Sequence, residues 1–384
     1  MRRALVVWFA LGCGAAAAAP PVTGGTASDD GAVVALAYGD VLVCSGTLIA
    51  PHAVLTAAHC LTGSHLPELA VGDTLAGAAR HPIIAAFVHP DFDAQTLDHD
   101  IAVAIVAPLA GAPVLPFATV LGELAAGATL RVVGFGWTVA NDTSPPARRT
   151  GESRLDAIEP LRLVSHAAMS QTCEGDSGGP ALIPVGAGER VIGVASSGDA
   201  TCTEVARYTR VDVHADFVAD VAARTAPGAA SAGDRCWYAE NCAVGGCLPA
   251  VDEPRWSFCA PACDGGCPAG LACITVGGDA RCRHPAPSPG ADGAPCANDA
   301  DCAGALCLAA AMGGEQTCTS RCFSDLPGFA CEGGTTCGEA ADGSEACFAP
   351  EDRGGCNSMR GTRGLFALAI LVLCAQALRG RGRP

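Results

Sequence analysis

The sequence predicts an all-β domain over residues 22–226 closed by one helix, then two small disulfide-rich units and a short apolar C-terminal helix. Three observations point this way. Residues 32–211 break into short apolar, β-branched runs parted by Gly, Pro and Asp: AVVALAY, VLVCSGTLIA, AVLTAAH, DIAVAIVAPL, LRVVGFGW, RVIGVASS and ARYTRV. Short runs at close spacing with turn residues between them are the pattern of a β-barrel or sandwich. Cysteine is distributed unevenly, with 16 of the 23 between Cys236 and Cys347. Those 16 fall into two matching copies offset by 60 residues, from Cys236 to Cys296.

The chain opens on MRRALVVWFALGCGAAAAAP, with Arg2 and Arg3, an apolar run from Ala4 to Leu11 and small residues beyond it. That is the composition of a secretory signal peptide, so residues 1–19 are set apart from the fold and residues 20–21 form a very short propeptide. Export agrees with the even cysteine counts of both inner groups, which indicate disulfides made in an oxidising compartment. A domain of about 205 residues can bury about 70 % of its unfolded surface and needs few covalent staples. Its final helix is expected in VDVHADFVADVAAR, where Val213, Phe217 and Val221 recur at i, i+4 and i+8. The small residues 227–235 read as a flexible linker.

Residues 236–282 and 296–347 form the two units. The first reads C-x5-C-x4-C-x11-C-x3-C-x3-C-x5-C-x8-C and the second C-x5-C-x4-C-x10-C-x3-C-x8-C-x5-C-x9-C. Each is too short to bury a large core, so disulfides must compensate. Zinc is disfavoured because no CxxC pair occurs and His284 is the only histidine of the region. No metal and no cofactor is expected anywhere in the chain. Four disulfides per unit allow 105 connectivities. The units are similar to Cys-rich surface repeats of deltaproteobacterial secreted proteins, which implies spacing or adhesion and a surface ligand.

Residues 354–384 carry Cys356, then the apolar LFALAILVLCAQAL from Leu365 to Leu378, then Arg379, Arg381 and Arg383. Fourteen residues fall short of the roughly 20 that span a bilayer untilted, yet the trailing arginines suit a cytoplasmic end. The tail resembles the C-terminal sorting signals of myxobacterial surface proteins; a plain tail anchor is the alternative. Both place the chain at a bacterial cell surface or envelope, or release it from there. A formal charge of -16 without basic patches argues against a nucleic-acid partner.

Chemistry concentrates in three stretches. TCEGDSGGPAL holds Ser177 between Asp176 and two glycines; LIAPHAVLTAAHCL holds His59; LDHDIAVAIV holds Asp100 at the start of an apolar run. A serine hydroxyl becomes a nucleophile when a base takes its proton and a third group orients that base. His52, beside Pro51, is expected to be an exposed turn histidine, and Asp98 and His99 precede rather than abut the apolar run.

TAAHC, DIAVAIVAPL, GFGW and GDSGGP, in this order, resemble the trypsin/chymotrypsin-like serine proteases over residues 22–226. The resemblance implies a chymotrypsin-like double β-barrel and a serine endopeptidase. It implies that His59 is general base and acid, that Asp100 orients it, that Ser177 attacks, and that the N–H groups of Gly175 and Ser177 form the oxyanion hole. Disulfides Cys44 to Cys60 and Cys173 to Cys202 are implied as well. Asp176 would be a buried partner for a freed N-terminus at Val22, although Pro20 and Pro21 precede Val22 and no Lys or Arg offers a trypsin-like cleavage point.

Specificity departs from trypsin. Gln171 stands where trypsins hold an aspartate, with Ser196, Gly198 and Ala206 as implied pocket walls. A neutral amide cannot pair a buried guanidinium, so a small, uncharged or polar P1 residue is expected. Protein or peptide substrates are the implied partners. The rival reading is a catalytically inactive, protease-like surface protein used for binding or adhesion; a third is a stored zymogen.

Overall fold

A computed structural model of the chain describes residues 22–23, 25–63, 65–138, 144–166, 170–249, 257–285, 294, 296–297, 301–302, 307–308, 316–319, 336–339 and 345–348. Residues 1–19, expected to be a signal peptide, residues 20–21, expected to be a propeptide, and the apolar stretch of residues 354–384 lie outside the described residues. Among those described, no helix is long and apolar enough to cross a membrane.

Fourteen strands and one helix make up the first unit: β1 (Thr26–Ala27), β2 (Val33–Tyr38), β3 (Val41–Ala50), β4 (Ala53–Thr56), β5 (Glu68–Val71), β6 (Ala79–Pro82), β7 (Ala85–Val88), β8 (Ala102–Ile105), β9 (Thr129–Gly134), β10 (Arg149–Ile158), β11 (Arg162–His166), β12 (Pro180–Val185), β13 (Gly188–Gly198), β14 (Val205–Arg210) and α1 (Ala215–Arg224). They form two antiparallel seven-stranded sheets, ordered β6-β5-β2-β3-β4-β8-β7 and β1-β10-β11-β14-β13-β12-β9. β10 also pairs with β9, from Arg149 opposite Gly134 to Arg154 opposite Thr129, which closes the second sheet on itself. The all-β expectation holds, as two barrel-like sheets with one short helix behind them.

The strands differ as their neighbours demand. β8 (AVAI) is buried throughout, and VVALA of β2 likewise, because both lie inside the first sheet. In the second half of β10, Ser153 and Leu155 are buried while Glu152, Arg154 and Asp156 are exposed, the period of two that a sheet with one wet face requires. One apolar cluster joins Leu36, Leu48, Leu55, Val103 and Ile105 of the first half to Phe135, Val191 and Val194 of the second and to Val218 and Val221 of α1. A second fills the other barrel with Leu130, Val132, Leu155, Leu163, Ile192 and Tyr208, and takes in Val22. The two halves therefore share a core.

The helix forms where expected but with a different face. Ala215, Val218 and Val221 are buried, whereas Val213 is 46 % exposed. A 3-10 turn over Asp212–His214 precedes α1 and changes the angular phase, so a single 3.6-residue period cannot be carried across it. The stretch 227–235 does not behave as a free linker. Gly228 N–H donates to Glu240 O at 2.7 Å, Ala230 N–H to Asn241 O at 2.9 Å, and Ala230 is buried. Trp237 packs edge-on against Phe87 at 5.5 Å, and the Tyr238 hydroxyl donates to Thr225 O. The first Cys-rich unit is thus docked on the β domain by its two leading aromatic residues.

That unit pairs its cysteines as Cys236–Cys247, Cys242–Cys259, Cys263–Cys273 and Cys267–Cys282, first to third and second to fourth, then the same again. Hairpins of Gly246–Pro249 with Ser257–Ala260 and of Ala272–Val276 with Asp279–Arg283 set Cys247 opposite Cys259 and Cys273 opposite Cys282, and each of these bonds a cysteine outside its hairpin. The second unit repeats the start of the pattern with Cys296–Cys307 and Cys302–Cys318, and Cys337 faces Cys347 across a hairpin as Cys273 faces Cys282.

Candidate active site

His59 sits in a 3-10 turn, Ala58–Cys60, directly after β4, and Asp100 sits two residues before β8, which pairs with β4. Pairing of those strands, from Thr56 opposite Ala102, brings the two residues together although they are 41 positions apart. Asp100 is wholly buried and accepts three hydrogen bonds: from His59 N at 2.9 Å, His59 Nδ1 at 2.8 Å and Ser196 Oγ at 2.6 Å. With its Nδ1–H given to the carboxylate, His59 keeps a lone pair on Nε2, the tautomer a general base needs.

Ser177 comes from the other half, in the loop ahead of β12. Its carbonyl accepts from Ser45 N at 2.7 Å and the Gly175 carbonyl accepts from Ser45 Oγ at 2.9 Å, so β3 holds the loop of Ser177 at both places. Ser45 O in turn accepts from Thr56 Oγ1 at 2.9 Å. The bond from Ser177 Oγ to His59 Nε2 is not formed here, and Nε2 lies 3.7 Å from Cys60 Sγ. That bond is commonly long without substrate and tightens when one binds.

The loop's backbone is held by its glycines. Gly175 has φ +92, and a Cβ there would stand 2.6 Å from Leu42 Cδ2; Gly178 has φ +83, and its Cβ would stand 2.1 Å from Thr56 Oγ1 and 2.2 Å from Ser45 O. Both positions need glycine for conformation and for space. Among the described residues the N–H groups of Gly175 and Ser177 donate to no partner, while the Asp176 N–H between them bonds Cys173 O at 3.0 Å. Two such donors, one on the serine itself and one two residues before it, are suited to an oxyanion.

Asp176 is fully buried. It accepts from Gly136 N at 2.8 Å and Cys173 N at 2.9 Å, and burial outweighs those two bonds, pushing its carboxyl up to about 7. No cation pairs with it among the described residues. Val22 is buried in the second apolar cluster, and the next residue pairs with the segment leading to Asp176: Thr23 N–H to Gln171 O at 2.9 Å and Gln171 N–H to Thr23 O at 3.2 Å.

Of the expected pocket residues, Gln171 lies beside Ser165, whose strand partner is Ala206. Gln171 is buried, its Oε1 accepting long 3.4 Å bonds from Ser153 and Ser165 and its Nε2 without a partner. Gly198 and Ala206 face each other across β13 and β14. Ser196 directs its hydroxyl at the Asp100 carboxylate, which it helps to orient. Disulfides Cys44–Cys60 and Cys173–Cys202 are both present, with Cα atoms 6.1 and 5.2 Å apart. His52 corrects its expectation: it is 3 % exposed and its Nε2 lies 3.0 Å from Ala222 O at the end of α1. A turn at the chain's surface was expected there, and the docking of α1 covers it. Asp98 is turned outward to Arg162 at 2.7 Å and leaves Asp100 alone on His59. The sequence held no sign of Ser45 or Thr56 as site residues, and Ser196, expected as a pocket wall, gave no sign of its bond to Asp100, because a hydroxyl in a strand reads the same whatever its partner.

The family model described as Trypsin matches residues 22–218. Serine protease 56 of Homo sapiens is 30 % identical over 233 residues, covering 51 % of this chain and 38 % of that protein. Inactive CLIP domain-containing serine protease A3 of Aedes aegypti is 29 % identical over 203 residues, covering 43 % of this chain and 42 % of that protein. Among solved structures, "Neuropsin, a serine protease expressed in the limbic system of mouse brain" is similar with a TM-score of 0.46 and 20 % identity, over 51 % of this chain and 98 % of that one. The chain spans less than two thirds of the length of both curated relatives. The family match covers just over half of the chain, opens on buried Val22 and runs through both sheets into α1, so this chain belongs to the trypsin family.

Proposed function

We propose that the chain is a serine endopeptidase that hydrolyses peptide bonds of extracellular proteins. The observation that supports this most strongly is the buried Asp100 carboxylate, bonded by Ser196 and by both the backbone and ring of His59, together with the N–H groups of Gly175 and Ser177, which donate to no partner among the described residues. His59 Nε2 takes the proton of Ser177 Oγ as that oxygen bonds the scissile carbonyl carbon. The carbonyl electron pair moves onto oxygen, where Gly175 and Ser177 N–H receive it. Collapse breaks the C–N bond, His59 gives its proton to the leaving amine, and water, deprotonated by His59, hydrolyses the acyl-enzyme in the same way. Val22, freed from the upstream residues, supplies the ammonium for Asp176.

The P1 residue accepted is small, uncharged or polar, since Gln171 offers no negative charge. On a peptide library, enrichment of such residues is the expected result; a strict Arg or Lys preference would refute it. Export through residues 1–19 and retention at a cell surface through residues 354–384 complete the reading, with the two Cys-rich units as spacers or ligand modules.

The inactive Aedes aegypti relative keeps a second reading, a protease-like binding protein, in play. Labelling of mature protein by a fluorophosphonate, with N-terminal sequencing of the same sample, separates the two. Label incorporated in the native protein and lost in Ser177→Ala is expected; a free Val22 N-terminus with no label would favour binding.

A further inference from the structure

Three histidines far apart in sequence meet outside the triad. His89 follows β7, His99 lies one residue before Asp100, and buried His214 caps the start of α1. One ring nitrogen from each lies within 4.8 Å of the others. His99 Nδ1 and His214 Nε2 are 3.0 Å apart, the His89 and His99 rings stack at 5.0 Å, and the His214 ring stands edge-on to both. Packing alone could gather imidazoles, but their hydrogen bonds point further. His214 Nδ1 donates to Arg210 O at 2.6 Å, which fixes its tautomer and leaves the Nε2 lone pair facing the other two rings. A second ring N–H held by a backbone carbonyl is the arrangement that orients metal-bound histidines.

We propose that His89, His99 and His214 form a site for a divalent transition metal of the zinc class, which clamps the start of α1 to the β7–β8 segment of the first sheet. Two nitrogens on a tetrahedral zinc at about 2.0–2.1 Å stand roughly 3.3 Å apart, close to the present spacing of His99 and His214. Binding moves the proton of His99 Nδ1 to Nε2 and breaks the bond between those two rings. It also gives up the long bond, 3.3 Å, from Asp91 N–H to His89 Nδ1 if His89 binds through Nε2. His89 and His99 are each partly exposed, so ions reach the site and water fills the remaining position. Imidazole donors without a carboxylate select zinc, copper, nickel or cobalt over calcium and magnesium. The site stands whether or not the chain is a peptidase.

The test uses full-length mature protein carrying Ser177→Ala, so that no autolysis intrudes, and reads binding without activity. Cobalt ions should produce the visible absorption of a four-coordinate site, displaced by zinc. Zinc at a hundredfold excess over its Kd should raise Tm by about 5–10 °C, and calcium should leave it unmoved. Adding His89→Phe or His99→Phe keeps a stacked ring but removes the donor, and should abolish both signals while the metal-free Tm stays within a few degrees. Absence of cobalt bands and of any zinc-dependent shift, their persistence in His89→Phe, or an equal shift with calcium would each overturn the proposal.

Discussion

Replacing Ser177 by alanine in protein that begins at Val22 is expected to lower kcat by about a million-fold, and His59→Ala by about as much, with the double variant little worse than either. The losses overlap because proton transfer and attack are one event, and what survives is substrate binding and the oxyanion donors. Asp100→Asn should lose about ten thousand-fold. An amide at that position still fills the space but can turn an N–H towards His59 Nδ1, which forces the proton to Nε2 and removes the base. Ser196→Ala sits lower in the series at roughly ten- to a hundredfold, the worth of one hydrogen bond to a charged group. Its hydroxyl gives Asp100 one of three bonds, and His59 still supplies the other two. Kinetics on one peptide substrate, normalised by the concentration of folded protein, checks all of them. Equal losses for Ser196→Ala and Asp100→Asn would contradict the assignment of Ser196 as a positioning residue, and residual activity of Ser177→Ala near that of native protein would remove Ser177 from the chemistry.

The second large effect is expected at Asp176 and depends on what precedes Val22. In the uncut chain the buried carboxyl titrates near 7, against 3.8 unperturbed. Between those two values the folded state holds a proton that the unfolded state has released, so stability falls as pH rises through that window, by at most about 4 kcal/mol. An ammonium at a freed Val22 would pair with the carboxylate, pull its pKa down and abolish the fall. Urea unfolding of Ser177→Ala protein at pH 5 and pH 7.5 should therefore show a drop in midpoint for the form that retains upstream residues and little drop for the form that starts at Val22. Asp176→Asn should flatten the first and, in the active background, cost about 100- to 1000-fold in kcat, as when an oxyanion donor is lost. Identical pH slopes in both forms would show that Val22 and Asp176 do not meet. The position of Val22 favours their meeting, since it is already buried and Thr23 is already paired with Gln171.

Local chemistry made a good part of this protein legible from its sequence. Ser177, His59 and Asp100 stood out because each lies in a stretch whose neighbours are constrained by the backbone: glycines at 175 and 178 where φ is positive, alanines packed ahead of His59, an apolar strand behind Asp100. The all-β class followed from runs too short for helices, and the two Cys-rich units from counting. What stayed hidden depended on distances between segments far apart in the chain. Spacing could not choose among 105 pairings, whereas opposed hairpin cysteines select one. Composition made 227–235 a linker, whereas Trp237 and Tyr238 find an apolar face on the first sheet and seat it. The phase of α1 was lost at the 3-10 turn, the burial of His52 waited on that helix, and Ser196, legible only as a pocket wall, gained its bond to Asp100 where β13 carried it there. His89, His99 and His214 looked like three unrelated residues. Residue identity and near neighbours determine which groups can react and which backbone conformations are allowed; only the packing of two sheets and a helix decides which of those groups lie within 3 Å of one another, because burial and hydrogen bonding act through space and not along the chain.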